Sequence, residues 1–178
     1  MAGDVIVVTG PPGAGKTTAA RLVADALSPS VHLHGDDFWD YIRSGRVPPH
    51  LPESKAQNEL VMRVLAETAT GYANGGYHVV VDGIIGPWFI GVLRTVTAER
   101  DLVLHYFVVR PDADIALERA RTRVTPFLTD EEPVRKMYVE FSSLGTFESF
   151  VLDNGDQAPE ETARLILERI ASGSHRLA

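Results

Sequence analysis

The chain has 178 residues, the length of one compact domain with one core rather than a repeat array or a multidomain assembly. Its 44% apolar and 23% charged residues exclude a disordered or fibrous protein. Seventeen Lys plus Arg against 24 Asp plus Glu give a formal charge of −7, which excludes general attraction to nucleic acid or an anionic membrane, and the absence of cysteine removes disulfides, thiolate zinc sites and thiol catalysis.

The opening residues carry an acid, Asp4, and an apolar run too short for a signal-peptide core or a membrane span, so a soluble, cytoplasmic protein is expected. Val5 to Thr9 is a β-branched run without alternation, the pattern of a strand buried on both faces of a parallel sheet. The segment Gly10-Pro11-Pro12-Gly13-Ala14-Gly15-Lys16-Thr17 follows it and matches G-x-x-x-x-G-K-[ST]. An amphipathic helix is expected from Lys16 to Leu27, with Pro29 just beyond its end. Strand, glycine loop and helix together define the motif's chemistry. Backbone N–H groups from Gly10 to Thr18 point inward at a polyphosphate, Lys16 reaches the β and γ phosphates, and the Thr17 hydroxyl ligates Mg²⁺ at a helix N-terminus.

Val31 to His34 reads as a second strand, followed by Gly35, the acid pair Asp36 and Asp37, and a short helix from Phe38 to Arg43. Phosphoryl transfer to a hydroxyl needs a carboxylate that orients or deprotonates the acceptor. One acid of the pair is expected to meet the acceptor, and the other to cap the helix or reach water-bound Mg²⁺. His32 and His34 alternate along the strand; with no cysteine or nearby acid cluster to complete a zinc site, they read as hydrogen-bonded sheet-face residues. Ser44 to Pro52 holds three prolines and is expected to be a loop.

A helix from about Glu53 to Ala73 is expected to carry Leu60, Val61, Val64 and Leu65 on one face and to stop at Asn74-Gly75-Gly76. His78 to Asp82 is a third strand, and Val79-Val80-Val81-Asp82 has the form of a Walker B strand, whose acid holds magnesium directly or through water. A short helix over Trp88 to Val96 and a fourth strand over Leu102 to Val109 come next. The following helix, Ala113 to about Arg123 with Asp112 as N-cap, places Arg119 and Arg123 on one face, where two guanidiniums suit a transferring phosphoryl group.

A lid-like segment is expected over about 124–146, with a helix restarting after Thr129 and running to about Ser143. Phe147 to Leu152 reads as a fifth strand. The Asn154-Gly155 turn is expected beside the nucleotide base, with Asn154 in the nucleotide site, and a helix over Pro159 to Ala171 follows. Five strands alternating with helices predict an α/β three-layer sandwich over residues 1–178, a parallel sheet with helices on both faces and ligands at the strands' carboxyl ends. Both tryptophans follow the acid-bearing strand ends, so Asp37, Phe38, Trp39 and Trp88 are the candidate acceptor site.

These residues together resemble the small P-loop kinases of the nucleoside-monophosphate-kinase fold, a group that includes shikimate kinase, gluconate kinase and chloramphenicol phosphotransferase. The likeness covers nearly the whole length: GPPGAGKTT at Gly10 to Thr18, an acid after the second strand in HGDDFW, VVVDG at Val79 to Gly83, an arginine-bearing helix, and VLDNG before the last helix. It implies a five-stranded sheet in the order 2-3-1-4-5, ATP or GTP with Mg²⁺, and a hydroxyl acceptor over the second and third strands. By analogy with the chloramphenicol enzyme's glycine, any residue, acid pattern, Asp37 corresponds to the catalytic base better than Asp36. Asp36 joins Thr17 and Asp82 as a candidate metal-site residue, and Lys16, Arg119 and Arg123 join Asp37 as catalytic candidates.

The implied activity is an O-phosphotransferase acting on a small-molecule hydroxyl, in a monomer or homodimer. It is either antibiotic-inactivating or metabolic, like a sugar-acid kinase; a zeta-toxin-like kinase of nucleotide sugars is another alternative. The competing class is a regulatory NTPase, which normally needs a Glu or Gln to activate water; Gly83, Ile84 and Ile85 follow Asp82 instead. Shikimate kinase's aspartate, any residue, aspartate signature is not found, and between Gly35 and Pro52 the only basic side chains of Arg or Lys type are Arg43 and Arg46. The acceptor is therefore expected to have an apolar or ring surface beside its hydroxyl.

Overall fold

In the computed structural model, which describes residues 2–121 and 131–177, β1 (Val5–Thr9), β2 (Ser30–His34), β3 (His78–Gly83), β4 (Leu104–Val109) and β5 (Val151–Leu152) form one sheet. The order is β2-β3-β1-β4-β5 and the pairings are parallel, as the resemblance implied. β1 and β4 are buried along their whole length, which is why their sequences run apolar without alternation. Side chains still alternate: Val5 and Val7 enter one core layer, Ile6 and Val8 the other. Helices α1 (Lys16–Ala26) and α7 (Pro159–Ser172) cover the second layer.

A four-residue helix α2 (Asp37–Asp40) follows β2, and α3 (Lys55–Asn74) and α4 (Pro87–Ala98) cover the first layer. α5 (Ala113–Arg121) packs on α6 (Glu131–Ser142) through Leu117, Ala120 and Val134. The strands are in step at their carboxyl ends, with Thr9 opposite Gly83 and His34 opposite Asp82. That register brings the glycine loop and both acid-bearing strand ends to one edge of the sheet.

Two expectations change. Leu60 and Val64 lie outside the core at 61% and 47% exposed. The buried stripe of α3 is Asn58, Val61, Met62, Leu65, Ala66, Ala69, Thr70 and Ala73, whose small alanines let the helix sit close on the sheet. The fifth strand shrinks to two residues, because Gly145–Phe150 forms a 3₁₀ turn. Phe147 and Phe150 each place their rings 5.8 Å from Tyr106; residues three apart share a face in a 3₁₀ turn and not in a strand. The free part of the β4 edge is taken by the C-terminal segment, where Tyr106 N–H donates to the His175 carbonyl (3.0 Å) and Leu177 N–H to the Leu104 carbonyl (2.9 Å).

The segment expected as a lid, about 124–146, is described only in part. Arg123 and the first residues of that segment lie outside the described residues. Its later part is anchored: Phe141 is fully buried, with its ring 5.3 Å from that of Trp88, and Leu144 also enters the core.

Candidate active site

The loop after β1 is closed by contacts from three directions. Gly13 has φ +79°, and a Cβ there would lie 2.0 Å from the Ala116 carbonyl oxygen of α5, so only glycine fits. Asn154 Nδ2 donates to the Ala14 carbonyl at 2.8 Å from the loop after β5. Thr9 Oγ1 accepts the Ile85 N–H at 2.8 Å, fastening the end of β1 to the chain leaving β3. Gly15 is the N-cap of α1 and supplies no side-chain acceptor, which leaves first-turn N–H groups for an anion. The Lys16 side chain is buried and its Nζ donates to the Pro11 carbonyl at 3.4 Å. This cradle fits the phosphates of a nucleotide.

Asp82 is fully buried at the end of β3. Its Oδ2 accepts the Thr17 hydroxyl at 2.5 Å, and its Oδ1 lies 2.9 Å from His32 Nε2. Burial would push this carboxyl up. Hydrogen bonds from His32 and Thr17, then the imidazoles of His34 and His32, outweigh it and hold the group below the usual carboxylate range. Among the described residues no group of three or more His, Cys, Asp or Glu could hold a metal ion. A hydroxyl and one anionic carboxylate beside a phosphate cradle fit Mg²⁺, which keeps several waters and takes further oxygens from phosphate.

On the neighbouring strand end, Gly35 N–H donates to the Asp82 carbonyl at 2.7 Å and clips β2 to β3. Asp37 opens α2 with its side chain 54% exposed, and its Oδ1 lies 3.1 Å from His34 Nδ1. Asp36 occupies the N-cap position without a capping hydrogen bond. His32 and His34 are thus hydrogen-bonded sheet-face residues, but their partners are the two carboxylates of the site. The available signal was strand parity, since both share the sheet face of Asp82 through the register of β2 on β3.

The aromatic candidates separate. Trp39 is 7% exposed and its indole N–H donates to Asn58 Oδ1 at 2.8 Å, so it belongs to the packing under α3. Phe38 lies against Tyr41, and Arg46 pairs with Asp40 at 2.8 Å. Trp88 is 43% exposed. Its ring lies over Gly86, where a Cβ would come within 2.4 Å of it.

Arg119 is placed away from this group. It lines a cavity of about 320 Å³ with Gly15, Thr18, Asn154, Gln157 and Thr162, and donates to the Gly155 carbonyl at 2.9 Å. A planar guanidinium there suits the face of a nucleobase.

A family model described as AAA domain matches residues 5–143. The chain belongs to that family of P-loop kinases. It is 24% identical over 173 residues to a cytidylate kinase of Archaeoglobus fulgidus, covering 93% of each chain. The Mycobacterium tuberculosis APS kinase, solved in complex with AMPPNP and APS, superposes with a TM-score of 0.74 at 20% identity, over 96% of this chain and 98% of that one. A sugar kinase from Janibacter sp. HTCC2649 gives 0.72 at 21% identity over 95% of each. These structural likenesses show a common fold. Among the described residues no helix is long and apolar enough to cross a membrane.

Proposed function

We propose that this P-loop kinase moves the γ-phosphoryl group of ATP or GTP to a hydroxyl of a small molecule. One observation carries the reading: Asp82, which ends β3 and accepts the Thr17 hydroxyl beside the phosphate cradle, and the half-exposed Asp37 carboxylate, which follows the end of β2, are brought to one edge where Gly35 clips β2 to β3. The backbone N–H groups of the loop from Gly10 to Thr18, its two prolines excepted, and the Lys16 ammonium hold the β and γ phosphates, and Thr17 and Asp82 would hold Mg²⁺. Arg119 packs on the nucleobase, with Asn154 bracing the loop beneath it. A magnesium ion held by Thr17 and Asp82 would supply positive charge against that of the phosphates. Asp37 orients the acceptor hydroxyl and takes its proton while the hydroxyl oxygen bonds to the γ-phosphorus and the bond to the β–γ bridging oxygen breaks. Asp36 would reach such a metal through water, and Arg123 is the candidate to meet the transferring group.

The acceptor side carries Phe38, Tyr41 and the exposed face of Trp88, while Arg46 is already paired with Asp40. This supports an acceptor with a ring surface, such as an antibiotic, ahead of a sugar acid. A second reading, a nucleoside monophosphate acceptor, is favoured by the likeness to a cytidylate kinase along nearly the whole chain. ADP release from ATP and Mg²⁺ is to be measured with chloramphenicol, gluconate, shikimate and cytidine monophosphate, and without acceptor. Stimulation by a hydroxyl compound is expected, and stimulation by cytidine monophosphate alone moves the assignment to the second reading. Release at one rate with or without every acceptor would overturn both.

A further inference from the structure

We propose that His34 is a positioning residue, whose imidazole fixes the Asp37 carboxylate toward the acceptor and ties its place to Asp82. The proposal rests on the reading of Asp37 as the acceptor-side base.

Asp37 alone is poorly restrained. It stands at the start of a four-residue helix, its side chain is 54% exposed, and a solvated carboxylate of this kind exchanges among staggered rotamers. A base that must meet one hydroxyl gains from being held, because a misplacement of about 1 Å can cost on the order of a hundredfold in rate. His34 supplies the restraint from a rigid element. Its backbone belongs to β2, in register with Asp82 of β3, so the ring starts from a fixed point on the sheet.

The two ring nitrogens have different neighbours. Nδ1 lies 3.1 Å from Asp37 Oδ1, while Nε2 lies 3.8 Å from Asp82 Oδ2. Only the first is a hydrogen-bond distance. An ionised carboxylate only accepts, so the Nδ1 side carries the proton shared with Asp37. His32, two residues earlier on the same sheet face, holds the other Asp82 oxygen at 2.9 Å. The pair divides the site: His32 orients the acid on the nucleotide side, and His34 orients the acid on the acceptor side against it.

Two substitutions separate the two nitrogens. Asn places an amide nitrogen near the position of Nδ1, and Gln places one near Nε2. With whichever of chloramphenicol, gluconate, shikimate and cytidine monophosphate is turned over fastest, His34→Ala is expected to lower kcat about tenfold to a hundredfold. KM for ATP and Tm are expected to stay close to wild type. His34→Asn should recover most of that loss and His34→Gln little of it. Independently of turnover, ¹⁵N–¹H correlation spectra of the full chain labelled at histidine should show a proton on His34 Nδ1, displaced toward Nε2 in Asp37→Ala.

A bare Nδ1 in the wild-type spectrum overturns the proposal, as does wild-type kcat in His34→Ala when Asp37→Asn is inactive. Equal losses in the Ala and Asn variants, in step with Tm, also overturn it. Wild-type activity in Asp37→Asn instead overturns the assignment of Asp37 and leaves the hydrogen bond to be judged by the spectrum.

Discussion

Trp39 and Trp88 each follow an acid-bearing strand end, yet their surroundings give them opposite tests. The Trp39 indole N–H satisfies Asn58 Oδ1, and the Asn58 amide is engaged by the Pro49 carbonyl and Ser54 Oγ. Trp39→Phe leaves that buried carbonyl oxygen unpaired, a loss of about 1–3 kcal/mol, to be read as a lower urea midpoint. Trp88→Ala removes an exposed ring and is expected to raise acceptor KM several-fold while ATP KM holds. Thr17→Ala removes a hydroxyl that Asp82 Oδ2 accepts at 2.5 Å, so a higher magnesium concentration for half-maximal activity is expected in a metal titration. Thr17 and Lys16 were legible because their motif is contiguous. His32 and His34 were legible only as residues: the partner of His32, Asp82, is 50 positions away in the chain and is brought to it only by the pairing of β2 with β3, while His34 meets Asp37 across the turn into α2.

Elements were legible where one periodicity dominated. β1, β3, β4 and α1 fall within a residue or two of their expected bounds because runs rich in β-branched and aromatic residues and a glycine loop admit one reading. The failures arose where tertiary partners decided. Phe147 and Phe150 follow Tyr106 into a 3₁₀ turn, and the shortened β5 leaves part of the β4 edge to the C-terminal segment. That join holds two buried imidazoles, with His105 Nδ1 and His175 Nε2 lacking hydrogen-bond partners among the described residues. Burial lowers the His105 pKa; the Asp4 charge and hydrogen bond oppose it, and Arg176 and His78 add to it. For His175, burial leads and the charges of Arg169 and His105 act in the same direction. The unfolded chain therefore takes up protons near 6.5 that the folded chain resists. Stability is full above that pH and falls as pH drops below it. Tm measured across this range should decline on the acid side, with a flatter decline in His105→Gln, which keeps a donor to Asp4. An equal slope in both proteins would assign the acid loss to other groups.

At the scale of the whole molecule, the glycine loop is where distant parts of the chain meet. Gly13 is held under α5, Ala14 is bonded to Asn154 after β5, Thr17 to Asp82 of β3, and α1 packs on α7 in the core. The sequence announced the loop and the alternation of strands and helices. It placed Asn154 in the nucleotide site but did not announce its bond to Ala14, because an Asn-Gly turn has no signature for a partner 140 residues earlier. A ligand seated in this cradle stabilises every element tied to it, and the unfolded chain has no such site. A non-hydrolysable ATP analogue with Mg²⁺ at about 100 times its Kd should add about 2.7 kcal/mol of stability, a rise in Tm of about 5–10 °C for a domain of this size. Lys16 opens α1, and its side chain is buried against the glycine loop rather than in the apolar core, so Lys16→Ala should keep the Tm of the free protein and lose most of the rise, along with phosphoryl transfer. A variant that melts well below wild type without nucleotide would make Lys16 a support of the fold. One that keeps the full rise would place the phosphates elsewhere.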